Sequence, residues 1–340
     1  MVQISNEFKD RLPQNSARAR TPVFVLGCPR SGTTWLYHML LSAGGFAIYR
    51  TESSVFNVLK PCFGNFAQPL NRERLMDAWI RSKLFERSGL DERQIREKIM
   101  AECRSPGDFM RIVMEEVSRR QNVTRWADCT PEHLLYIPEI KKAFPNALVI
   151  HTIRDGRDVA LSLAKQRWIR PLLSRTQSSL LAAGFYWEWM VHTGRALCRA
   201  IPSDYFEVRY EDLVLSPHET LRRLSAFIEQ DLDYDQIQQM AVGSVSKPNT
   251  SFEKETQSGG FAPVGRWKTA FPPEELRKFE AILGGTLREL GYTARREAHQ
   301  RIALLMGMRR MYRTSFESKL WLKKHTSLGR IFMNPDLSWL

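Results

Sequence analysis

The sequence predicts an α/β protein: one domain with a central, mostly parallel sheet flanked by helices, followed by a basic helical C-terminal extension. Three observations carry that expectation. Strand-like runs recur at 21–26, 147–153 and 205–210, with helix-compatible stretches between them. Strands alternating with helices imply a largely parallel sheet covered on both faces. The chain has 340 residues, 43% of them hydrophobic, which is enough to bury one large core. Composition divides it into a polar tail at 1–20, a body at 21–294 and the extension at 295–340.

In chain order, 21–26 (Thr-Pro-Val-Phe-Val-Leu) ends at Gly27, and 33–41 places Leu36, Met39 and Leu40 at helical spacing. Phe46, Ala47, Ile48 and Tyr49 read as a second strand, and 70–102 as a charged helical stretch. Helices are also expected over 131–144 and 179–200. The run 147–153 is a buried strand, after which Asp155 is suited to N-cap a helix carrying Val159, Ala160 and Leu163. Beyond Arg295, the residues Leu305, Met308, Tyr312, Phe316 and Leu320 follow a helical period. That helix would dock on the domain or on a second subunit; a basic amphipathic helix also permits peripheral membrane contact.

Charge and cysteine usage narrow the class. The formal charge of +13 points to an anionic partner, but ten Lys/Arg against two Glu fall within 295–330, leaving the body only mildly basic. A nucleic-acid groove needs its cations spread along the contact, so nucleic acid is not the expected partner. Five cysteines without a Cys-x-x-Cys pair argue against a disulfide framework and against zinc. The first 20 residues hold no apolar run of signal or anchor length. A soluble, cytoplasmic protein is therefore expected.

Chemistry concentrates after the first strand. Gly27 and Gly32 bracket a turn between strand and helix, where backbone N–H groups and the helix dipole converge on an anion. In a nucleotide triphosphatase the residue after the second glycine is lysine; here it is Thr33, and the positive charge sits within the loop on Arg30. A P-loop-like site for a phosphorylated ligand, without triphosphate hydrolysis, follows. A P-loop small-molecule kinase and a non-catalytic binding module are the alternatives.

The run Gly27-Cys28-Pro29-Arg30-Ser31-Gly32-Thr33-Thr34-Trp35-Leu36 resembles the 5′-phosphosulfate loop of sulfotransferases that use 3′-phosphoadenosine 5′-phosphosulfate. A second signature of that family, an Arg at a strand end and a Ser eight residues on, is matched by Arg154 and Ser162. The resemblance implies that this pair holds the 3′-phosphate; taken structurally, Arg154 could instead pair with Asp158. Trp126-Ala127-Asp128-Cys129-Thr130-Pro131, Tyr210-Glu211-Asp212-Leu213 and Gly265-Arg266-Trp267-Lys268 follow in the family's order. The likeness thus runs from about Val23 to Phe271. It implies Arg30, Ser31, Gly32, Thr33 and Thr34 on the phosphosulfate, and Trp35, Tyr210, Thr250 and Phe252 around the adenine. It further implies adenosine 3′,5′-bisphosphate as product, no metal, and a small-molecule or carbohydrate acceptor.

Transfer to a hydroxyl also needs a proton acceptor. Glu52 follows the run 46–49 on the ligand side of a parallel sheet, as in carbohydrate, tyrosyl-protein and bacterial members of the family, and is the expected base. The cytosolic phenol enzymes use a Lys-Thr-His segment that falls here on Cys129-Thr130-Pro131, so the lysine and histidine are missing. His133 is the fallback base, and Arg266 and Lys268 stand in for an absent Arg-Lys-Gly triplet. Cys129 is expected to be a buried structural thiol, because in-line transfer needs no covalent enzyme intermediate. The apolar stripe of the tail also offers a homodimer contact.

Overall fold

The computed structural model describes residues 18–169, 179–243, 245, 263–295 and 302–338. Strands β1 (Val23–Gly27), β2 (Ala127–Asp128), β3 (Leu148–Ile153) and β4 (Tyr205–Arg209) form one parallel sheet in the order β2-β1-β3-β4. Side chains alternate across it. Phe24, Leu26, Val149 and Ile153 enter one core, whereas Val23, Val25, Leu148 and Ile150 enter the other. Burial on both faces is why 147–153 shows no alternation of apolar and polar residues, and even His151 and Thr152 within it are buried. Gly27 lies opposite Thr152, and Ile153 opposite Arg209. The chain therefore leaves β1, β3 and β4 at one edge, which gathers the loop after Gly27 with Arg154 and Tyr210.

The helices follow local start and stop signals. Helix α1 (Thr33–Ser42) begins directly after Gly32. The expected stretch 70–102 is three helices, α2 (Pro69–Ile80), α3 (Lys83–Ser88) and α4 (Glu92–Glu102). Ser82 and Asp91 each accept the backbone N–H three residues on, from Phe85 at 3.5 Å and Gln94 at 2.8 Å, while Gly89 ends α3 at φ +63°. Helix α5 is Pro106–Arg120, and 131–144 divides into a 3-10 turn (Pro131–Tyr136) and α6 (Ile137–Ala143). Asp155 caps α7 (Gly156–Gln166) by accepting the Arg157 N–H at 2.9 Å. Helices α8 (Ser179–Cys198), α9 (Pro273–Glu289) and α10 (Ile302–His325) are the three longest of the described helices. None of the described helices is long and apolar enough to cross a membrane.

The expected strand at 46–49 is not one. Only Phe46 bridges to Arg125, and the Ala47 N–H reaches the Arg125 carbonyl at 2.7 Å. Its neighbour β2 is two residues long and offers no further backbone. The Gln121 side chain takes over instead: its Oε1 accepts the Ile48 N–H at 2.7 Å and its Nε2 donates to the Ile48 carbonyl at 2.9 Å. One amide side chain thus satisfies the groups that a strand partner would.

Helix α10 lies on the body through the predicted stripe. Tyr312 meets Phe185 at 5.4 Å between ring centroids, and Phe316 meets Tyr186 and Trp189 at 5.4 and 5.3 Å. Leu305 and Tyr312 are buried, and Met308, Phe316 and Leu320 pack against the same core. Polar clamps flank the seam. Arg309 donates to Glu188 at 2.6 and 2.8 Å, and Lys324 Nζ donates to the Leu135 carbonyl at 2.7 Å.

Candidate active site

The loop between β1 and α1 has the form that an oxyanion site needs. Gly32 sits at φ +90°, and a Cβ there would overlap the Tyr210 ring; Gly27 has no room either, since its Cβ would stand 2.5 Å from the Thr152 carbonyl oxygen. Arg30 also takes a positive φ, +73°, which folds the loop back over the start of α1. That helix carries no acidic residue in its first turn, so nothing competes for its N–H groups. Ser31 Oγ is buried with no partner, as a donor awaiting an anion would be. Thr33 is buried and Thr34 half-buried at the helix start.

The residues assigned to the 3′-phosphate converge on this loop. Arg30 Nε donates to Ser162 Oγ at 2.9 Å, and Arg154 donates to the Arg30 carbonyl at 3.1 Å and the Pro263 carbonyl at 2.8 Å. The Arg154 guanidinium also lies 4.3 Å from the centre of the Tyr210 ring, and its Nε is buried without a partner. Desolvation and the charge of Arg154 pull the Arg30 guanidinium down, with Glu52 opposing. Arg154 and Asp158 stand 3.9 Å apart, but the Asp158 carboxylate has better partners: it accepts the N–H groups of Gly265 and Trp267, both at 2.8 Å. This docks 265–268 onto α7. Trp267 stacks on Arg157 at 3.5 Å, Arg266 is half-buried and Lys268 is exposed. Trp35 packs edge-on against Tyr210 at 5.7 Å and donates its indole N–H to the Val245 carbonyl at 3.1 Å. Thr250 and Phe252 lie outside the described residues.

Glu52 is mounted from the adjacent strand end. Asp128 accepts the Ser53 N–H at 3.2 Å, and Thr130 Oγ1 accepts the Ser54 N–H at 3.1 Å. Glu52 is solvent-exposed at its rim, yet crowding protein atoms and the charges of Asp128 and Glu132 push its carboxyl up to about 7, against the pull of Arg30. That is the range of a general base working near neutrality. His133 is differently placed. It is fully buried, its Nε2 accepts the Phe56 N–H at 3.2 Å, and its Nδ1 meets Asp128 Oδ2 at 2.9 Å. A backbone N–H can only donate, so Nε2 holds the lone pair and the ring proton faces Asp128. Both nitrogens are used, and His133 supports the mount rather than standing ready as a base. Burial pushes the thiols of Cys28 and Cys129 well up, which leaves them unreactive.

A cavity of about 510 Å³ opens beside the loop, with Pro29, Glu132, Trp168, Tyr186, Trp189 and Phe316 among its lining residues. Trp168 also stands 5.8 Å from the Arg30 guanidinium. Of the aromatic group on α8, Tyr186 and Trp189 reach the cavity, whereas Trp187 is core and donates to the Arg154 carbonyl at 3.1 Å. No residue of 70–102 lines it. Sequence reasoning did not anticipate the grip of Asp158 on 265–267 or the part α10 takes in this wall. Both are contacts over a hundred residues or more, for which the local pattern carries no signal.

Known proteins resemble this chain. A model of the sulfotransferase family matches residues 22–235, well over half of the chain. A putative protein-tyrosine sulfotransferase of Caenorhabditis briggsae is 25% identical over 279 residues, covering 79% of this chain and 88% of its own. An uncharacterized protein of Aquifex aeolicus (strain VF5) is 25% identical over 231 residues, 66% of this chain; the chain spans only 27% of that relative's length. The sulfotransferase domain from the curacin biosynthetic pathway has the same fold, with a TM-score of 0.55 at 15% identity over 81% of this chain and 99% of that one. The loop, the strand-end arginine and the extent of the family match lead to one conclusion: the chain belongs to the sulfotransferase family.

Proposed function

We propose that the protein transfers a sulfuryl group from 3′-phosphoadenosine 5′-phosphosulfate to an acceptor hydroxyl or amine. The observation that carries this reading is the meeting, at one sheet edge, of an anion loop with buried Ser31, a cationic pair in Arg30 and Arg154, and a carboxyl raised to about 7 on Glu52. The buried, unpartnered Ser31 Oγ and Arg154 Nε suit a ligand with two separate phosphate-like groups. In this reading Ser31, Thr33, Thr34 and the loop N–H groups hold the phosphosulfate, and Arg154 with Ser162 holds the 3′-phosphate. Trp35, Tyr210 and 265–268 border the nucleotide.

The step is an in-line displacement. The acceptor oxygen forms a bond to sulfur as the bond from sulfur to the bridging phosphate oxygen breaks. Glu52 takes the acceptor proton, and adenosine 3′,5′-bisphosphate departs. Arg30 and the N–H groups at the start of α1 stabilise the charge gathering on the departing oxygen. Thr33 in place of a lysine weighs against a phosphoryl-transfer reading.

Calorimetry with adenosine 3′,5′-bisphosphate and with ATP, each with and without magnesium, tests the proposal. Tight, metal-independent binding of the bisphosphate is expected. A preference for magnesium-ATP would overturn it in favour of a kinase.

A further inference from the structure

The cavity beside the loop takes its walls from two parts of the chain. Pro29, Glu132, Trp168 and Trp189 fall within the family match at 22–235, whereas Phe316 and Lys319 come from α10, well beyond it. Two of the lining residues carry buried polar atoms without a protein partner, the indole N–H of Trp189 and the hydroxyl of Tyr136. They are 7% and 3% exposed. Both atoms are closed off from open space, and Tyr136 also lines a second cavity of about 440 Å³, so the character of the bound group is read from the side chains that face the cavity.

Shape and charge define the rest. Five of the fourteen lining residues are aromatic and the larger part of the lining is apolar, and about 510 Å³ suits a molecule of two or three fused or linked rings. Glu132 is already answered, by Tyr186 at 3.0 Å, Asn57 at 3.2 Å and Lys323 at 3.9 Å. Lys319, exposed at the rim, leaves the wall positive.

Resting on the sulfuryl-transfer reading above, we propose that α10 is the acceptor-selecting wall and that the acceptor is a flat, apolar hydroxyl compound bearing one anionic group. Its rings lie against Trp189 and Phe316, and its anion faces Lys319. A polypeptide would have to present a single side chain through the cavity mouth, and a sugar would set hydroxyls against the apolar side formed by Leu135, Leu163, Ile169, Phe316 and Leu320.

The test uses the full chain saturated with adenosine 3′,5′-bisphosphate. Four probes are titrated by tryptophan fluorescence and calorimetry: 6-hydroxy-2-naphthoate, 2-naphthol, N-acetylglucosamine and a short tyrosine peptide. The naphthoate is expected to bind tightest. Phe316→Ala weakens both naphthyl probes by about tenfold, and Lys319→Gln removes a preference for the naphthoate of about twofold to fivefold. Trp321→Ala, on the outer face at 57% exposure, changes neither. Tighter binding of the peptide or the sugar, or a naphthoate preference that survives Lys319→Gln, overturns the proposal. Bisphosphate binding measured alone should be equal in all these proteins. Its failure in the wild type would sink the transfer reading, while naphthoate titrations without bisphosphate would still judge the cavity.

Discussion

Arg30 Nε donates to Ser162 Oγ across 2.9 Å, so a residue of the anion loop is tied to the helix that carries the second phosphate signature, 132 residues on. A nucleotide that engages both residues exchanges this bond for its own. Ser162→Ala removes the acceptor without altering the loop backbone. Affinity for adenosine 3′,5′-bisphosphate should fall by about tenfold, the loss of one hydrogen bond to a charged group. Unchanged affinity by calorimetry would take Ser162 out of the site.

Glu52→Gln should lower turnover by roughly 10²–10⁴ with bisphosphate binding intact. The wild-type rate should climb as pH rises through about 7, where the carboxyl loses its proton, and the variant should lose that limb. A variant that keeps the wild-type pH profile would rule out Glu52 as the base.

The same carboxyl has a stability signature. Its folded pKa is raised from 4.5 to about 7, so its proton favours the folded state. That contribution is full below pH 4.5 and disappears as pH rises through about 7. Glu52→Gln should therefore melt higher than wild type at pH 8, relative to the difference at pH 4. Parallel melting curves across that range would contradict the shift.

Gly32→Ala places a methyl group against the Tyr210 ring at a φ that side chains avoid. Stability should drop by about 1–3 kcal/mol and bisphosphate binding should be lost with the loop geometry. Denaturant unfolding and calorimetry measure the two effects. Full retention of both would mean that the loop tolerates a different path.

Arg309→Ala leaves Glu188 as a buried carboxylate with its main cation removed. A loss of about 1–3 kcal/mol is expected, below the value for a fully buried pair because Arg309 is partly exposed. Hydrogen exchange should rise over α10 while β1 and β3 stay protected. Faster exchange throughout the chain would show that the helix is not a separate layer.

Much of this fold was legible because buried parallel strands and helix caps are local signals. The run 147–153, the cap at Asp155 and the glycines of the loop each declare themselves within a few residues. The stripe of α10 was equally readable as a helix, but its docking surface depends on Phe185, Tyr186 and Trp189 more than 120 residues away. The segment 46–49 misled for a related reason. Its apolar run suits a strand, and whether it becomes one depends on a neighbour only two residues long and on Gln121, the residue that caps the end of α5. Glu52 was singled out from its place beyond that segment, although the segment is held by a side chain rather than a ladder. His133 was the harder case, because proximity in sequence to a known catalytic position says nothing of what its nitrogens already bond.

The short span carrying Glu52 hangs between two piers, Gln121 at Ile48 and Asp128 with Thr130 at Ser53 and Ser54. His133 is the keystone of the second pier, since its ring steadies the Asp128 carboxylate that receives the Ser53 N–H. On the transfer reading proposed above, a substitution there would reach the reaction without touching any reactant, by letting the span sag and the carboxyl drift from the sulfur. On the same reading the enclosed histidine, both of whose nitrogens are already bonded, sets the aim of the carboxyl proposed to take the acceptor proton.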